Sequence, residues 1–290
     1  MANRLGYCSL SPKETQRDND KRRPSQNLLD VHRRDAADVV TESWAIGLMD
    51  DQAMRIAVAF SREVAKQPNS RLCRACAGLL GVSGVGITIM SGEQAGPICI
   101  SNPRMRALEE LQFTMGRGPC HDAYQSGSPV NAAVLDGRVE VLWPTFVDMA
   151  RESGVTSVFA FPLATHGVKV GVLTLYNDRE GELTATQNGD SIALSAVLAE
   201  TILFLQEAAP AGSVAPGLDA AVSYRAEVFQ ASGMLAVHLQ VTPAVALLRI
   251  RAYAFANGLT AGAVSREIVA GRLRLDDDRA TPEEENDHDR

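Results

Sequence analysis

The sequence predicts an α+β protein in which helices flank an antiparallel sheet, followed by a small all-α unit of three helices. Three observations favour this order. Before residue 208, short β-branched segments with turn residues between them alternate with helical patterns. Residues 208–218 are small and interrupted by two prolines, which is typical of a linker. From residue 219 to 275, apolar residues recur at helical spacing.

Length and composition set the broad class. A chain of 290 residues with 46% hydrophobic residues is long enough for two cores. We therefore expect a first domain over residues 50–207 and a second over residues 219–275. The sequence contains no run of eighteen apolar residues and no apolar block after its N-terminal charges. This pattern predicts neither a membrane span nor a signal peptide. We therefore expect a cytoplasmic location.

The cysteines are odd in number and scattered, at positions 8, 73, 76, 99 and 120. This distribution argues against a disulfide framework, so we expect free thiols in a reducing compartment. The pair Cys73 and Cys76 lies on a predicted helix and has the spacing of half a zinc site. No second pair and no His-x₃₋₅-His segment accompanies it, so buried thiols are the simpler interpretation.

The first domain begins with helical patterns from residue 51 and over residues 70–80. Residues 84–90 and 97–100 predict a β-hairpin, and a helix follows over residues 104–112. A second pair of antiparallel strands is expected at 155–163 and 168–176, with Phe159, Phe161 and Leu163 on one face. A helix over 186–207 closes the domain. Its seam of Ile192, Ala196, Ala199 and Leu203 suits either a dimer or the core.

The most punctuated stretch of the chain is 115–123, Met-Gly-Arg-Gly-Pro-Cys-His-Asp-Ala. Its glycines permit unusual backbone angles, and Pro119 can begin a short helix whose free N–H groups face a cavity. Cys120, His121 and Asp122 are the residue types of a nucleophilic triad. Neighbours in sequence project in different directions, however, so catalysis is not expected. A redox or haem sensor that uses Cys120, His121 or His166 is the remaining chemical hypothesis.

The C-terminal unit is predicted as three capped helices. The first, over 219–240, places Val228, Ala231, Leu235 and Leu239 on one face. Thr242 and Pro243 begin the second, which ends at Asn257 and Gly258. Thr260 caps the third, in which one apolar row faces away from Arg266. The row consists of Ala261, Val264 and Ile268.

The second helix of this unit carries a row suited to nucleic acid. Arg249, Tyr253 and Asn257 follow one another at four-residue intervals, while Leu248, Ala252 and Phe255 are expected on an apolar side. Arg251 falls on the edge of that apolar side, where it can snorkel or hold helices together. Residues 219–275 carry six arginines against three acids, in a chain whose net charge is −7. Such segregation of charge favours a phosphate-bearing partner.

At this point three segments carry a resemblance. They are residues 230–235 (QASGML), residues 246–254 (ALLRIRAYA) and Val264 with Ile268 and Val269. In one ungapped register of about fifty residues, they resemble the ANTAR family of RNA-binding antiterminators. The resemblance implies binding to paired hairpins in nascent RNA, usually as a homodimer. We expect contacts from these residues: Arg225, Arg249, Arg251, Tyr253, Asn257, Arg266 and Arg272.

The chain departs from the family pattern at four positions. Ser232 stands where a lysine is frequent, and Leu259 where a basic residue is usual. Ala261 and Ser265 replace a leucine and an alanine. Fewer cations imply weaker attraction to phosphate, and so an altered affinity or target.

The first domain resembles the GAF sensor fold over residues 52–207. The markers are Leu111-Gln112, residues 116–123, Trp143-Pro144-Thr145-Phe146, Phe161-Pro162-Leu163 and residues 171–176. Domain order resembles that of actinobacterial GAF–ANTAR regulators. The resemblance implies a small-molecule effector of unidentified chemistry bound over the sheet. From the residues themselves we expect no bound metal or other cofactor. We expect its pocket to involve Gly118, Cys120, Asp122, Trp143 and Phe161.

Both ends of the chain are predicted to be disordered. Residues 1–45 are charged and carry few large apolar side chains; acids dilute the arginines, which disfavours a basic arm for nucleic acid. Residues 276–290 contain eight acids and two arginines. This acidic tail adjoins the basic helices and can compete with RNA for them.

No phosphate loop, catalytic carboxylate pair or metalloprotease helix is present in the sequence, so we expect a binding protein rather than an enzyme. The leading hypothesis is an RNA-binding antitermination regulator with a sensing domain. One alternative is duplex DNA binding by a helix-turn-helix, with Arg249 and Arg266 as contacts. The other is a sensor whose degenerate C-terminal unit acts through a protein partner.

Overall fold

A five-stranded antiparallel sheet organises the first domain, with the strand order β2-β1-β5-β4-β3. The computed structural model describes residues 51–66, 72–91, 94–136, 139, 141–210, 213, 218 and 225–275. The predicted tails at 1–45 and 276–290 lie outside the described residues, as does most of the predicted linker. The strands are β1 (Gly84–Ser91), β2 (Gln94–Ile100), β3 (Val130–Ala132), β4 (Ser157–Thr165) and β5 (Val168–Asn177).

Helices cover both faces of this sheet. They are α1 (Asp51–Lys66), α2 (Leu72–Leu80), α3 (Pro103–Met115), α4 (Pro119–Ser126), α5 (Pro144–Glu152) and α6 (Ala185–Glu207). The two predicted hairpins are confirmed, and β1 joins them by pairing with β5. The short strand β3 and the helix α5 were not predicted, because three residues of strand and a helix that begins at Trp143-Pro144 give little periodic signal.

The alternation of strand residues divides the core in two. Phe159, Phe161 and Leu163 point to one face, as predicted, and that face packs with α1, α2 and α6. Their neighbours Val158 and Ala160 point to the other face, where α3, α4 and α5 lie. A one-residue shift of register would exchange the two sets, so the buried aromatics fix the pairing of β4 with β5.

The long helix α6 has the length and mean hydropathy of a membrane-spanning helix. Of its apolar 18-residue stretch, 50% is buried inside the protein. Its buried residues include Leu194, Leu198 and Ile202, which pack on the sheet. Buried core helices can have the same length and hydropathy, so these two properties are weak evidence for a membrane span. In the predicted seam, Ala199 is buried, whereas Ile192 and Ala196 are exposed.

Cys73 and Cys99 form a disulfide, so the prediction of thiols at these two positions was wrong. The helix α2 packs on β1 and β2, which brings the two Cα atoms to 5.7 Å. Two cysteines separated by 26 positions give no sign of such proximity in the sequence. Cys73 is therefore not half of a metal site, and the cysteines no longer argue for a reducing compartment.

The C-terminal unit consists of α7 (Ala226–Leu239), α8 (Pro243–Ala256) and α9 (Ala261–Val269). Thr242 and Thr260 cap α8 and α9 by accepting the N–H groups of Val245 and Ala263, as predicted. α7 begins at Ala226 rather than at the predicted residue 219. Its buried face and that of α9 follow the predicted rows, with Val228, Ala231 and Leu235 on α7 and Ala261, Val264 and Ile268 on α9.

The predicted apolar side of α8 was wrong. Leu248 and Phe255 are 63% and 51% exposed, and Ala252 is exposed as well. The helix is apolar on nearly every side, so periodicity could not identify which side packs. The buried side consists of Ala246, Leu247, Ile250, Arg251 and Ala254.

Gly171 in β5 is required by the close approach of β1. A Cβ atom at this position would lie 2.2 Å from the carbonyl oxygen of Thr88, which is backbone and cannot move aside. We expect Gly171→Ala to destabilise the protein by roughly 1–3 kcal/mol through overpacking, measured by urea unfolding.

The matched control is Gly78→Ala on α2, where an added Cβ meets nothing within 4 Å. That change is expected to stabilise the protein by roughly 0.5–1 kcal/mol, because alanine favours the helix. Equal effects of the two substitutions would contradict the packing of β1 against β5.

Candidate functional site

The helix α3 lies between the sheet and the C-terminal helices. Asn102 caps its N-terminus by accepting the N–H of Met105, and Gly116 caps its C-terminus in the left-handed conformation with φ of 64°. α3 packs on β1 and β2 with one side and on α8 and α9 with the other. The sheet domain and the three C-terminal helices belong to one compact unit. Side chains of α3 therefore connect the two parts of the chain.

The sheet-facing side of α3 carries two buried polar residues. Thr88 donates a hydrogen bond of 2.8 Å to the Glu109 carboxylate, and Gln112 accepts the backbone N–H of Cys120 at 2.8 Å. Burial raises the pKa of Glu109, while the hydrogen bond from Thr88 and the charge of Arg225 oppose this shift. Oε1 of Glu109 and Nε2 of Gln112 are buried without a hydrogen-bond partner. The sheet-facing side of α3 therefore carries buried polar groups between the helix and the sheet.

The opposite side of α3 binds Arg225, the residue before α7. Nη1 of Arg225 lies 2.9 Å from both carboxylate oxygens of Glu110. The guanidinium carbon lies 3.6 Å from the ring centroid of Phe113. Because Arg225 is only 2% exposed, its charge is compensated by the Glu110 carboxylate and the Phe113 ring rather than by water.

Arg251 of α8 reaches the same aromatic ring. Its guanidinium carbon lies 4.9 Å from the centroid of Phe113, and the residue is 7% exposed. A Cβ at Gly116 would lie 3.1 Å from Nη1 of Arg251, so glycine leaves room for the guanidinium. Thr114 accepts the backbone N–H of Ala261 at 3.1 Å, which fixes the start of α9. Residues 110–116 thus contact the beginning of α7, the middle of α8 and the beginning of α9.

The row predicted on α8 is less buried. Arg249 and Tyr253 are half-buried, and Asn257 is exposed at the C-terminal cap. Nδ2 of Asn257 donates to the carbonyl of Tyr253 at 2.8 Å, which satisfies an end carbonyl of the helix. These three residues therefore lie outside the closed core.

Two further predicted contacts lie on and after α9. The side chain of Arg266 is 58% exposed and lies 3.6 Å from Glu227. Arg272 donates two hydrogen bonds of 2.8 and 2.9 Å to Glu267. These bonds lower the pKa of Glu267 and raise that of Arg272. Both cations are at the surface, where such ion pairs exchange easily.

The four positions that depart from the ANTAR pattern fall into two groups. Ser232, Ala261 and Ser265 are buried, and Leu259 is 46% exposed. Small side chains at the buried positions let α7 and α9 pack closely. Leu259 belongs to an apolar stripe with Val245, Leu248 and Phe255 of α8, and its exposure was not predicted from the sequence.

Four of the five predicted pocket residues lie near one another. Gly118 precedes α4, Cys120 is on its first turn, and Trp143 donates a hydrogen bond of 2.9 Å to the Asp122 carboxylate. Phe161 lies on the opposite face of the sheet, among α1, α2 and α6. Alternation along β4 separates it from the others, because Ala160, not Phe161, faces α4.

Side chains near Cys120, together with His166, were the candidates for nucleophilic and metal chemistry. Burial raises the pKa of the Cys120 thiol well above its usual value, and the nearby Glu109 adds to the shift. The carboxylate of Asp122 accepts a hydrogen bond from Trp143. His166 is largely exposed and lies 3.5 Å from Glu200. Within the described residues, no three His, Cys, Asp or Glu side chains are grouped as metal ligands would be.

An antiparallel sheet between two helical layers defines this part of the chain as an α+β domain. Residues 70–203 match the GAF domain family, so this part of the chain is a GAF domain, a signal-sensing fold. The match confirms the predicted sensor and lies within the predicted boundaries. A search of curated proteins found no match.

Solved structures with similar folds include GAF domains of phosphoenolpyruvate-protein phosphotransferases. The one from Coxiella burnetii is 15% identical, with a TM-score of 0.41 over 55% of this chain and 98% of that chain. The one from Acinetobacter is 14% identical, with a TM-score of 0.41 over 56% and 99%. A free methionine-R-sulfoxide reductase from Neisseria meningitidis, solved with its substrate, is 16% identical, with a TM-score of 0.39 over 56% and 95%. The family match, rather than these distant likenesses, carries the assignment.

The raised pKa of Glu109 makes a prediction about pH. The folded protein binds the proton of the Glu109 carboxyl more tightly than the unfolded chain does. The stability gained from this difference is fully present below the ordinary carboxyl pKa. It is lost as pH rises through the raised pKa. We expect Glu109→Gln, which stays neutral and can still accept from Thr88, to gain in melting temperature relative to the wild type as pH rises above the ordinary carboxyl pKa.

The matched control is Glu152→Gln at an exposed position of α5. Its difference from the wild type should not change with pH in the same way. Parallel melting curves for Glu109→Gln and the wild type at pH values above the ordinary carboxyl pKa would contradict the burial of an ionisable carboxyl group.

The cysteines make a separate prediction. Burial raises the pKa of Cys76 to about 12 and that of Cys120 well above its usual value, so neither is a thiolate near neutral pH. We expect both to resist alkylation in the native, unreduced protein and to react after unfolding. Peptide mass spectrometry of that sample should recover Cys73 linked to Cys99. Alkylated Cys73 in the native protein would contradict the disulfide.

Proposed function

We propose that this protein is an RNA-binding regulator of transcription antitermination whose GAF domain senses a small molecule or another signal. The observation that carries the proposal is the C-terminal unit itself. In this unit of three helices, α7 and α9 bury their predicted apolar rows, and Arg249, Tyr253, Asn257 and Arg266 lie outside the closed core. Cations with an aromatic and an amide suit a folded RNA, in which phosphates and unstacked bases are both accessible.

The partner in this proposal is a pair of hairpins in nascent RNA, bound by a homodimer in the cytoplasm. The protein acts by binding, not as an enzyme. The resemblance of α7, α8 and α9 to the ANTAR family supports the choice of RNA, and the segregated positive charge of residues 219–275 supports a phosphate-bearing ligand. The acidic segment 276–290 is then a competitor of RNA for the same cations.

Duplex DNA is a less suitable ligand. A helix-turn-helix reads bases with side chains near the N-terminus of its recognition helix. The N-terminus of α9 is docked on the sensor, because Ala261 is buried and its N–H bonds to Thr114. Its first residues are also small, so they offer few donors to base edges.

A protein partner remains the second candidate, and one observation favours it. Val245, Leu248, Phe255 and Leu259 form an apolar stripe that is exposed along α8. Exposed apolar residues in a row are typical of protein contacts rather than of RNA contacts. The same stripe adjoins a groove of about 540 Å³ between α3, α5 and the end of α8.

Binding measurements across salt concentration distinguish these candidates. We expect the protein to prefer an RNA with two hairpins over a DNA duplex of equal length, with log affinity falling linearly with log salt. Arg249→Gln should weaken RNA binding and reduce the magnitude of that slope by roughly 1. The matched control is Arg74→Gln, at an exposed position of α2 far along the chain in the GAF domain.

Two outcomes would reject the proposal. Equal and weak binding to both nucleic acids would favour the protein partner, and a preference for duplex DNA would favour the helix-turn-helix. If Arg74→Gln lowered affinity as much as Arg249→Gln, the arginine of α8 would not be a specific contact.

A further inference from the structure

We propose that α3 imitates RNA: it holds Arg225 and Arg251 with a carboxylate and an aromatic face, so that RNA must displace α3 to reach them. The inference rests on the proposed function and specifies how that function is regulated. In it, the GAF domain masks part of the RNA-binding surface instead of merely carrying it.

The contacts themselves suggest imitation. Glu110 gives Arg225 two oxygen atoms at 2.9 Å, as a phosphate group does. Phe113 gives the same guanidinium a π face at 3.6 Å, as a stacked base does. A single helix turn thus supplies the two kinds of contact that arginine makes with RNA.

Burial shows that the arrangement is more than a surface ion pair. Arg225 and Arg251 are 2% and 7% exposed, and both guanidiniums face the ring of Phe113. A cation enclosed in this way cannot contact an external phosphate. The arginines are therefore either on α3 or available to RNA, and the two states exclude each other.

The same helix connects the mask to the sensor. Glu109 and Gln112 face the sheet, and their neighbours Glu110 and Phe113 face the C-terminal helices. A change beneath α3 that rotates or lifts this turn alters both sets of contacts together. Binding of a signal over the sheet is in this way coupled to release of the arginines, provided that the signal prefers one of the two positions of α3.

Glu110→Gln in the full chain tests the inference, because glutamine keeps the size of the side chain and removes the charge that compensates Arg225. Two measurements are made on the same samples. Fluorescence anisotropy gives the affinity for a labelled RNA with two hairpins. Modification by phenylglyoxal, followed by peptide mass spectrometry, gives the accessibility of each arginine, with the exposed Arg266 as internal reference.

In the wild type we expect Arg225 and Arg251 to react more slowly than Arg266. In Glu110→Gln they should react faster, and RNA should bind at least about fivefold more tightly, since apparent affinity follows the fraction of undocked molecules. Phe113→Leu, which keeps an apolar side chain and removes the π face, should act in the same direction. Glu152→Gln makes the same charge change at an exposed position of the GAF domain and should leave both measurements unchanged.

The failures of the two proposals are distinguishable. The masking inference is rejected if the wild type and Glu110→Gln bind RNA equally, or if Arg225 in the wild type already reacts as fast as Arg266. The proposed RNA-binding function is not rejected by either result. If Arg225 and Arg251 become reactive in Glu110→Gln but no variant prefers hairpin RNA to duplex DNA, the proposed function itself is rejected, and the inference with it.

Discussion

One aromatic ring that receives two guanidiniums determines how the two halves of this protein meet. Phe113 lies in the last turn of α3, and both Arg225 and Arg251 place their charges against it. Burying a cation is unfavourable unless oxygen or π electrons replace its water. Glu110 supplies the oxygen for Arg225. The position of the C-terminal helices therefore depends on electrostatic contacts as well as on apolar burial.

The apolar contribution is continuous across the same junction. One hydrophobic cluster contains Met90, Phe113 and Val172 of the GAF domain together with Val228, Leu235 and Ile250 of the C-terminal helices. Three short helices enclose only a small core by themselves, so packing against a neighbouring domain adds to their burial. The cost is that the surface used for packing is withheld from other partners. In the proposed masking, the contacts that stabilise the folded chain are also the contacts that regulate it.

The exposed stripe on α8 follows from the same arrangement. Arg251 occupies the inner side of the helix because Phe113 and Gly116 accept it there. With Ala246, Leu247 and Ile250 also turned inward, Leu248 and Phe255 are left on the outer side. An apolar helix whose inward side is chosen partly by an arginine presents apolar residues to water. Such a stripe is a surface available to a second copy of the chain or to another protein.

Much of the local structure was determined by the sequence. Thr242, Thr260 and Gly258 mark helix ends because hydroxyl caps and a left-handed glycine act on their own neighbours. The shared face of Phe159, Phe161 and Leu163 on β4 and the buried rows of α7 and α9 followed from the spacing of their apolar residues. The GAF domain was recognisable for the same reason: its motifs are local segments in a fixed order.

Only the tertiary structure decided which residues far apart in the chain face one another. The disulfide of Cys73 with Cys99, the separation of Phe161 from Cys120 by the sheet, and the inward side of α8 each depend on packing between elements. The burial of Arg225 and Arg251 belongs to this group. An arginine next to phosphate and an arginine on Phe113 have the same sequence signature, because its charge is visible in the sequence and its partner is not.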